Sequence, residues 1–325
     1  MGNGGSNSGS NGSSASLTAP VAAAANALVD IDTTLSYQGG AAAGTGIVLS
    51  SDGYILTNNH VISGATSIDA TDIANNQKYT ATVVGYDRTH DVAVIKLNGA
   101  SGLKTASIGD SAKVTQGESV VGLGNAGGAG GTPSSAPGQV TALNQSIKAQ
   151  DESNNTTEQL TGLIETNSDI QPGDSGGALV DTSGRVIGMD TAASTGFSFE
   201  TQGNQGFAIP INQAMAIAGD IRGGKESSTV HIGATAFLGV EIDPNGAGVS
   251  GASVSSAISG GAADQVGIAS GSVITSLGGA TVDSASTLTN LISRYHPGDK
   301  VQIGWTDANG QTHTATVTFA NGPSA

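Results

Sequence analysis

The stretch DIQPGDSGG, residues 169–177, sets a single hydroxyl, Ser175, among glycines with an acidic residue directly before it. Pro-Gly and Ser-Gly pairs punctuate turns on steric grounds alone. The same arrangement also leaves room for a substrate carbonyl beside a nucleophile. An unactivated serine hydroxyl is a poor nucleophile, so it needs a base, and the base needs a group to orient it. Five histidines are available: His60, His90, His231, His296 and His313. His60 follows the apolar run of ILTNNHVI, and His90 adjoins Asp91 in RTHDVAVIKL. A lone histidine at a strand end is more often structural. Here Leu-Thr-x-x-His, Asp-Val-Ala-Val and Gly-Asp-Ser-Gly-Gly occur in that chain order, which offers a base, an acid and a nucleophile.

The elements that must position these residues read mainly as strands. ALVDIDTTLSY alternates in the period of a strand, after a short Ala-rich segment from Pro20. GTGIVLSSDGYILTNNHVI gives two strands joined by an SSDG hairpin, YTATVVGYDRTHDVAVIKL two more and SVVGLGN another. After a Gly/Pro-rich loop at 124–138, QVTALNQSI and LTGLIETNSDI pair around a polar connection, and ALVDTSGRVIGMDTAA is strand, turn, strand. Such spacing, with hardly any helix before Pro210, predicts a β-sandwich or barrel. NQAMAIAGDIRGG predicts a helix that ends at glycine. GGKESSTVHIG then reads as a linker. Beyond it come further strands (FLGVEI, GVSGASV, SVITSLGG, KVQIGWTD, HTATVTF) and two helical patterns, AADQVG and SASTLTNLISRY, enough for a small independent module.

Composition narrows the chemistry. Acidic residues outnumber basic ones 26 to 11, for a net charge of −15 over 325 residues, and no basic run offsets it, which argues against nucleic acid as a partner. Cysteine is absent, so there is no disulfide framework and no thiolate metal site. No stretch approaches the ~20 apolar residues of a membrane span. The opening MGNGGSNSGSNGSSAS is a flexible tract that suits a tether between an anchor and a folded domain, and its match to a myristoylation pattern at Gly2 and Ser6 reads as chance in so biased a segment. There is no His-Glu-x-x-His and no P-loop lysine. GLGNAGGAGG at 122–131 lacks lysine and opens no helix, and DPNGAG at 243–248 has too few carboxylates for calcium. No cofactor and no metal are expected.

The order His…Asp…Ser is that of the chymotrypsin-like double barrel. TNNHVI, HDVAVIKL, QPGDSGGALV and QGFAIPI each resemble the HtrA (Deg) branch of that clan, and the resemblance runs from about residue 20 to residue 320. It is nearest to the secreted single-PDZ proteases of actinobacteria. It implies a mainly β chain with a tether over 1–19, a trypsin-like protease domain over 20–218, a linker over 219–233 and a PDZ domain over 234–320. In that scheme Ser175 attacks a peptide carbonyl, His60 moves its proton and Asp91 holds the imidazole. Gly173, Asp174 and Ser175 form the oxyanion loop, Gly176 and Gly177 leave space around it, and His90 is a distractor.

One departure stands out. HtrA proteins carry Asp-Ala-Ala-Ile before the serine, whereas this chain has Asn167-Ser168-Asp169-Ile170. Asp169 occupies the position that floors the S1 pocket of trypsin-like proteases, where a buried carboxylate favours a basic P1 side chain. The alternative is that it faces a loop backbone or water and that P1 is small or branched aliphatic. No zymogen signature is present, so control by loop ordering is expected at 125–138, 167–173 and 190–206. In the small module AFLGVEI resembles a PDZ carboxylate loop, with N–H groups from Leu238, Gly239 and Val240 able to hold a peptide C-terminus. Leu288, Leu291 and Ile292 are groove candidates or plain core. The resemblance implies unfolded polypeptides and C-terminal peptides as partners, an extracytoplasmic location and a homotrimer. A holdase with latent proteolysis is the competing reading.

Overall fold

A computed structural model describes residues 17–36, 39–151, 156–191, 197–199, 205–243 and 250–323. Residues 1–16 of the expected tether, with Gly2 and Ser6, lie outside these, as do 192–196 and 200–204 of the loop at 190–206 and 244–248 of DPNGAG.

The Ala-rich lead-in is a helix, α1 (Ala19–Ala25), with Pro20 in its first turn, where a missing N–H leaves nothing unbonded. Strands β1 (Leu28–Leu35), β2 (Gly40–Val48), β3 (Tyr54–Thr57), β4 (Ser67–Asp72), β5 (Lys78–Asp87) and β6 (Val92–Leu97) follow, with a one-turn helix, α2 (Asn59–Ile62), after β3. Their order is β5-β4-β1-β2-β3-β6, and pairing of β5 with β6 closes the sheet into a barrel. The period of two shows plainly in β4, where Ile68 and Ala70 are buried while Ser67 and Asp69 are exposed.

A second barrel holds β7 (Ser119–Gly124), β8 (Ser134–Asp151), β9 (Thr156–Thr166), β10 (Ala178–Asp181), β11 (Val186–Thr191), β12 (Phe197–Phe199) and β13 (Gly206–Pro210). Its order is β12-β8-β7-β10-β11-β13-β9, closed by β8 on β9. The register of β8 against β9 shifts between Val140 and Ile147, and these bulges bend the long strand around the barrel. Helix α3 (Ile211–Arg222) then ends at Gly223, as its sequence predicts.

Each barrel has its own apolar interior: Val29, Ile31, Ile55, Ile95 and Leu97 in the first, Val120, Val140, Leu179 and Ile187 in the second. A third cluster joins them, with Leu56 and Val94 meeting Leu123, Val180 and Ile209 under Ala214, Ala218 and Ile221 of α3. The seam between the barrels is therefore itself close-packed core, and whatever straddles it is held rigidly.

The segment expected as a linker is not one throughout. Helix α3 runs four residues past 218, and β14 (Val230–Ile232) pairs antiparallel with β5, extending the first sheet. Its three residues are too few to show an alternation within the polar tract around them.

The remainder comprises β15 (Ala236–Phe237), β16 (Val240–Ile242), β17 (Ala252–Ala257), β18 (Val273–Leu277), β19 (Ala280–Thr281), α4 (Ala285–Ile292), β20 (Lys300–Thr306), β21 (Thr312–Thr318) and β22 (Ala320–Asn321). The sheet runs β16-β17-β18-β20-β21, with β19 on β18 and β15 paired to β22. Ser284 caps α4, its hydroxyl accepting from the Thr287 N–H at 3.2 Å. Leu277, Leu288, Ile303, Trp305 and Phe319 fill the core. The chain thus has a mainly β, chymotrypsin-like fold of two closed barrels followed by smaller PDZ-like sheets.

Candidate active site

His60 and Asp91 both come from the first barrel. His60 sits on α2, and Asp91 ends the β5–β6 turn with a positive φ of 54°, an uncommon conformation for a residue with a side chain. That conformation is fixed from several sides. The Asp91 carboxylate accepts from the His60 backbone N–H at 2.9 Å, and its other oxygen lies 2.8 Å from His60 Nδ1. Asn58 Nδ2 donates to the Asp91 carbonyl at 2.9 Å. From the second barrel, Thr191 Oγ1 donates to the same carboxylate oxygen at 3.3 Å. An acceptor at Nδ1 holds the proton there and leaves Nε2 with its lone pair, the tautomer a general base requires.

Ser175 lies in the turn before β10 and is 1% exposed. Its carbonyl accepts from the Thr45 N–H of β2 at 2.8 Å, which fastens this turn to the first barrel. Gly44 marks how close the pieces come: a Cβ there would stand 2.6 Å from Val61, the residue after His60, and 3.2 Å from the Ser175 carbonyl oxygen. The structure thus bonds His60 to Asp91 and sets the Ser175 turn against Gly44 and Thr45 of the first barrel, at the seam. His90 does not join them. Its ring contacts Asp87 at 2.8 Å and closes a local turn.

The glycines of the serine turn have separate reasons. Gly173 has φ of +99°, and a Cβ on it would collide with the Asn125 carbonyl; Gly176 has φ of +82°, and a Cβ there would collide with the Thr45 carbonyl. The Pro172 carbonyl accepts from the Gly127 N–H at 2.7 Å, and the Gly173 carbonyl accepts from Thr45 Oγ1 at 2.9 Å. In a trans peptide the N–H points opposite to the preceding carbonyl. With the Pro172 carbonyl held by Gly127, the Gly173 N–H is therefore aimed away from the 125–128 turn. Asp174 adds a second tie between these loops: its carboxylate accepts from Ser134 Oγ at 2.6 Å and from the Gln171 N–H at 2.9 Å. Of the loops expected to order this site, 125–138 and 167–173 are directly bonded to each other. Residues from Ser134 onward belong to β8 rather than to a loop.

Asp169 is not a buried acid. It is exposed, and its carboxylate accepts from Gln171 Nε2. Two neighbouring positions turn the chain there: Ser168 goes inward onto Thr166 Oγ1, and Ile170 reaches towards Gly122 and Gly206, so the residue between them faces out. The buried acids of this region are Asp174 and Asp190. Burial pushes the Asp174 carboxyl upward, against the hydrogen bonds from Ser134 and Gln171. Asp190 of β11 is fully buried, and neither carboxyl oxygen has a hydrogen bond of good geometry. Burial and the nearby Asp174 charge push it well above the carboxylate range, the Leu123 N–H offsetting only part of this. Sequence reasoning missed Asp190, Thr191, Ser134 and Gly127. Only Thr191 had a signal, a hydroxyl ending the second strand after the serine.

In the small domain Gly239 has φ of +78°, and the carbonyls of Leu238 and Gly239 accept from the Ala263 and Ile258 N–H groups at 3.0 and 2.9 Å. Val240 opens β16, an edge strand, which is where an added peptide strand would pair. Leu288 is core at 2% exposure, whereas Leu291 and Ile292 are only partly buried.

A trypsin-like peptidase domain matches residues 44–189 and a PDZ domain matches residues 236–318. Serine protease PepD of Mycobacterium tuberculosis is 34% identical over 306 residues, covering 90% of this chain and 63% of PepD. Serine protease Do-like HtrA of Lactococcus lactis is 30% identical over 295 residues, covering 86% of this chain and 71% of that protein. The solved structure of HtrA-type protease AlgW with tripeptide has 29% identity and a TM-score of 0.53, covering 93% of this chain and 95% of the other. The chain spans less than two thirds of PepD's length.

Proposed function

This chain belongs to the HtrA family of trypsin-clan serine proteases, and we propose that it is an extracytoplasmic endopeptidase that cuts unfolded or misfolded polypeptides. Ser175 attacks the peptide carbonyl. His60 takes its proton through Nε2 and returns it to the leaving amine, while Asp91 holds the ring and stabilises the imidazolium. The N–H groups of Gly173 and Ser175 receive the oxyanion, on a turn that Asp174 braces from within. The observation that carries this reading is the Asp91 carboxylate, bonded to His60 from one barrel and to Thr191 from the other at 2.8 and 3.3 Å.

The Gly127–Pro172 bond supports an oxyanion loop that is already set before substrate arrives. With Asp169 exposed, a small or branched aliphatic P1 residue is the better-supported preference. The PDZ domain receives the C-termini of substrates or activators along β16, at the loop of Leu238, Gly239 and Val240. Kinship with single-PDZ actinobacterial relatives and assembly into a homotrimer through the protease domains belong to the same proposal.

Incubation with unfolded β-casein, beside Ser175→Ala, tests it. New termini are expected only with the intact serine, after Val, Ala or Leu. Retention of casein without cleavage by both forms would instead establish the holdase.

A further inference from the structure

Glu226, His231 and His296 meet where the protease domain joins the small domain, and each presents one ligand atom within 4.8 Å of the others. His296 is distant in sequence from Glu226 and His231, so no ligand spacing announced the set. Glu226 and His231 belong to the stretch that ends in β14 on the first barrel, and His296 follows α4 of the small domain. His231 Nδ1 lies 3.7 Å from Glu226 Oε1, and His296 Nε2 lies 3.3 Å from the same oxygen. These separations are close to those between neighbouring ligands of a tetrahedral ion with bonds of ~2.0–2.2 Å.

From this convergence we propose that Glu226, His231 and His296 bind a divalent transition-metal ion of the Zn²⁺ type, which clasps the PDZ domain to the protease domain.

The orientation of His231 suits a metal ligand. His231 Nε2 donates to the Ala234 carbonyl at 3.1 Å, which fixes the tautomer and leaves Nδ1 as the ligand atom, as in imidazoles that hold metals through backbone-oriented rings. The other groups facing the two rings are acceptors too: the Ile232 carbonyl at 3.0 Å from His296 Nε2, the Ser293 carbonyl near His231, and the Glu226 carboxylate. The two rings stack with their centroids 4.5 Å apart. A metal ion takes the Nδ1 lone pair of His231 as that ring is placed, and the Nε2 lone pair of His296 once its ring has turned.

The set of two imidazoles and one carboxylate suits Zn²⁺ over Ca²⁺ or Mg²⁺, which demand oxygen. Coordination requires the His296 ring to turn out of the stack and carry its proton on Nδ1; its side chain, 37% exposed, has the freedom to do so. Glu226 and His231 also line a cavity of about 730 Å³, together with Arg88 and Arg294.

Calorimetric titration of the chelator-stripped full chain with Zn²⁺ tests this, with His296→Ala and Glu226→Gln in parallel. Both side chains are half-exposed, so neither variant threatens the fold, and circular dichroism checks this. One equivalent of Zn²⁺ is expected to bind, and each variant is expected to weaken it by at least ~10-fold. Absence of binding, or binding that both folded variants retain unchanged, overturns the proposal. Neither readout depends on proteolysis.

Discussion

Two junctions in this molecule are built in opposite ways. Where the barrels meet, apolar side chains from both interdigitate under α3, and glycines bring backbones into contact. Asp91 there takes donors from both sides. Where the protease meets the small domain, a three-residue strand, a stack of two histidines and a polar cavity carry the connection. The first arrangement fixes atoms to fractions of an ångström, as nucleophilic catalysis demands. The second orders few groups and rests on polar and ring contacts rather than on a continuous apolar core.

The contrast is broken most severely at the seam. Replacing Ser175 by alanine is expected to lower casein turnover by about 10⁶-fold without loss of fold, measured by cleavage rate and circular dichroism. Gly173→Ala drives a methyl into the Asn125 carbonyl and turns away one oxyanion donor, so a fall of about 100- to 1000-fold in kcat is expected. Thr191→Ala removes a single hydrogen bond to the Asp91 carboxylate and is expected to lower kcat/KM by about 10-fold, a loss of about 1–2 kcal/mol. At the looser junction, His296→Ala is expected to leave cleavage of a short peptide within about twofold, because that residue touches nothing at the seam.

Asp190 sharpens the comparison differently, since it is a polar group the close-packed seam leaves unbonded. Its folded carboxyl holds a proton more tightly than the unfolded one does. The stability it contributes is therefore fully present below the ordinary carboxylate range and is lost as pH rises towards its folded value. Asp190→Asn is expected to add on the order of 1–3 kcal/mol of stability at pH 8, read as a higher Tm, and to have less effect at pH 5. An equal gain at both pH values would show that the carboxyl is not held protonated.

How much of this the sequence disclosed follows from the range of each interaction. Barrel strands such as β5 and β6 show in their apolar patterns, and α3 shows in its closing glycines. Helix α1 has no such pattern, and β14 is shorter than one period can reveal. His60, Asp91 and Ser175 were legible because each sits in a local motif. Asp190 was not, because its burial is decided by β7 and the serine turn folding over it. For Asp169 the sequence left a pocket floor and an outward-facing position both open, because the exposure of a loop residue depends on how its neighbours Ser168 and Ile170 turn inward. The metal-ligand candidates required the two domains to be joined before they became neighbours.

The most direct test of the seam is labelling with an aryl phosphonate ester that reacts only with an activated serine, followed by mass spectrometry, with no peptide activator present. The account predicts one label per chain, on Ser175, and none after His60→Ala. A folded chain that stays unlabelled would contradict both the roles assigned to His60 and Ser175 and the loop already set by Gly127.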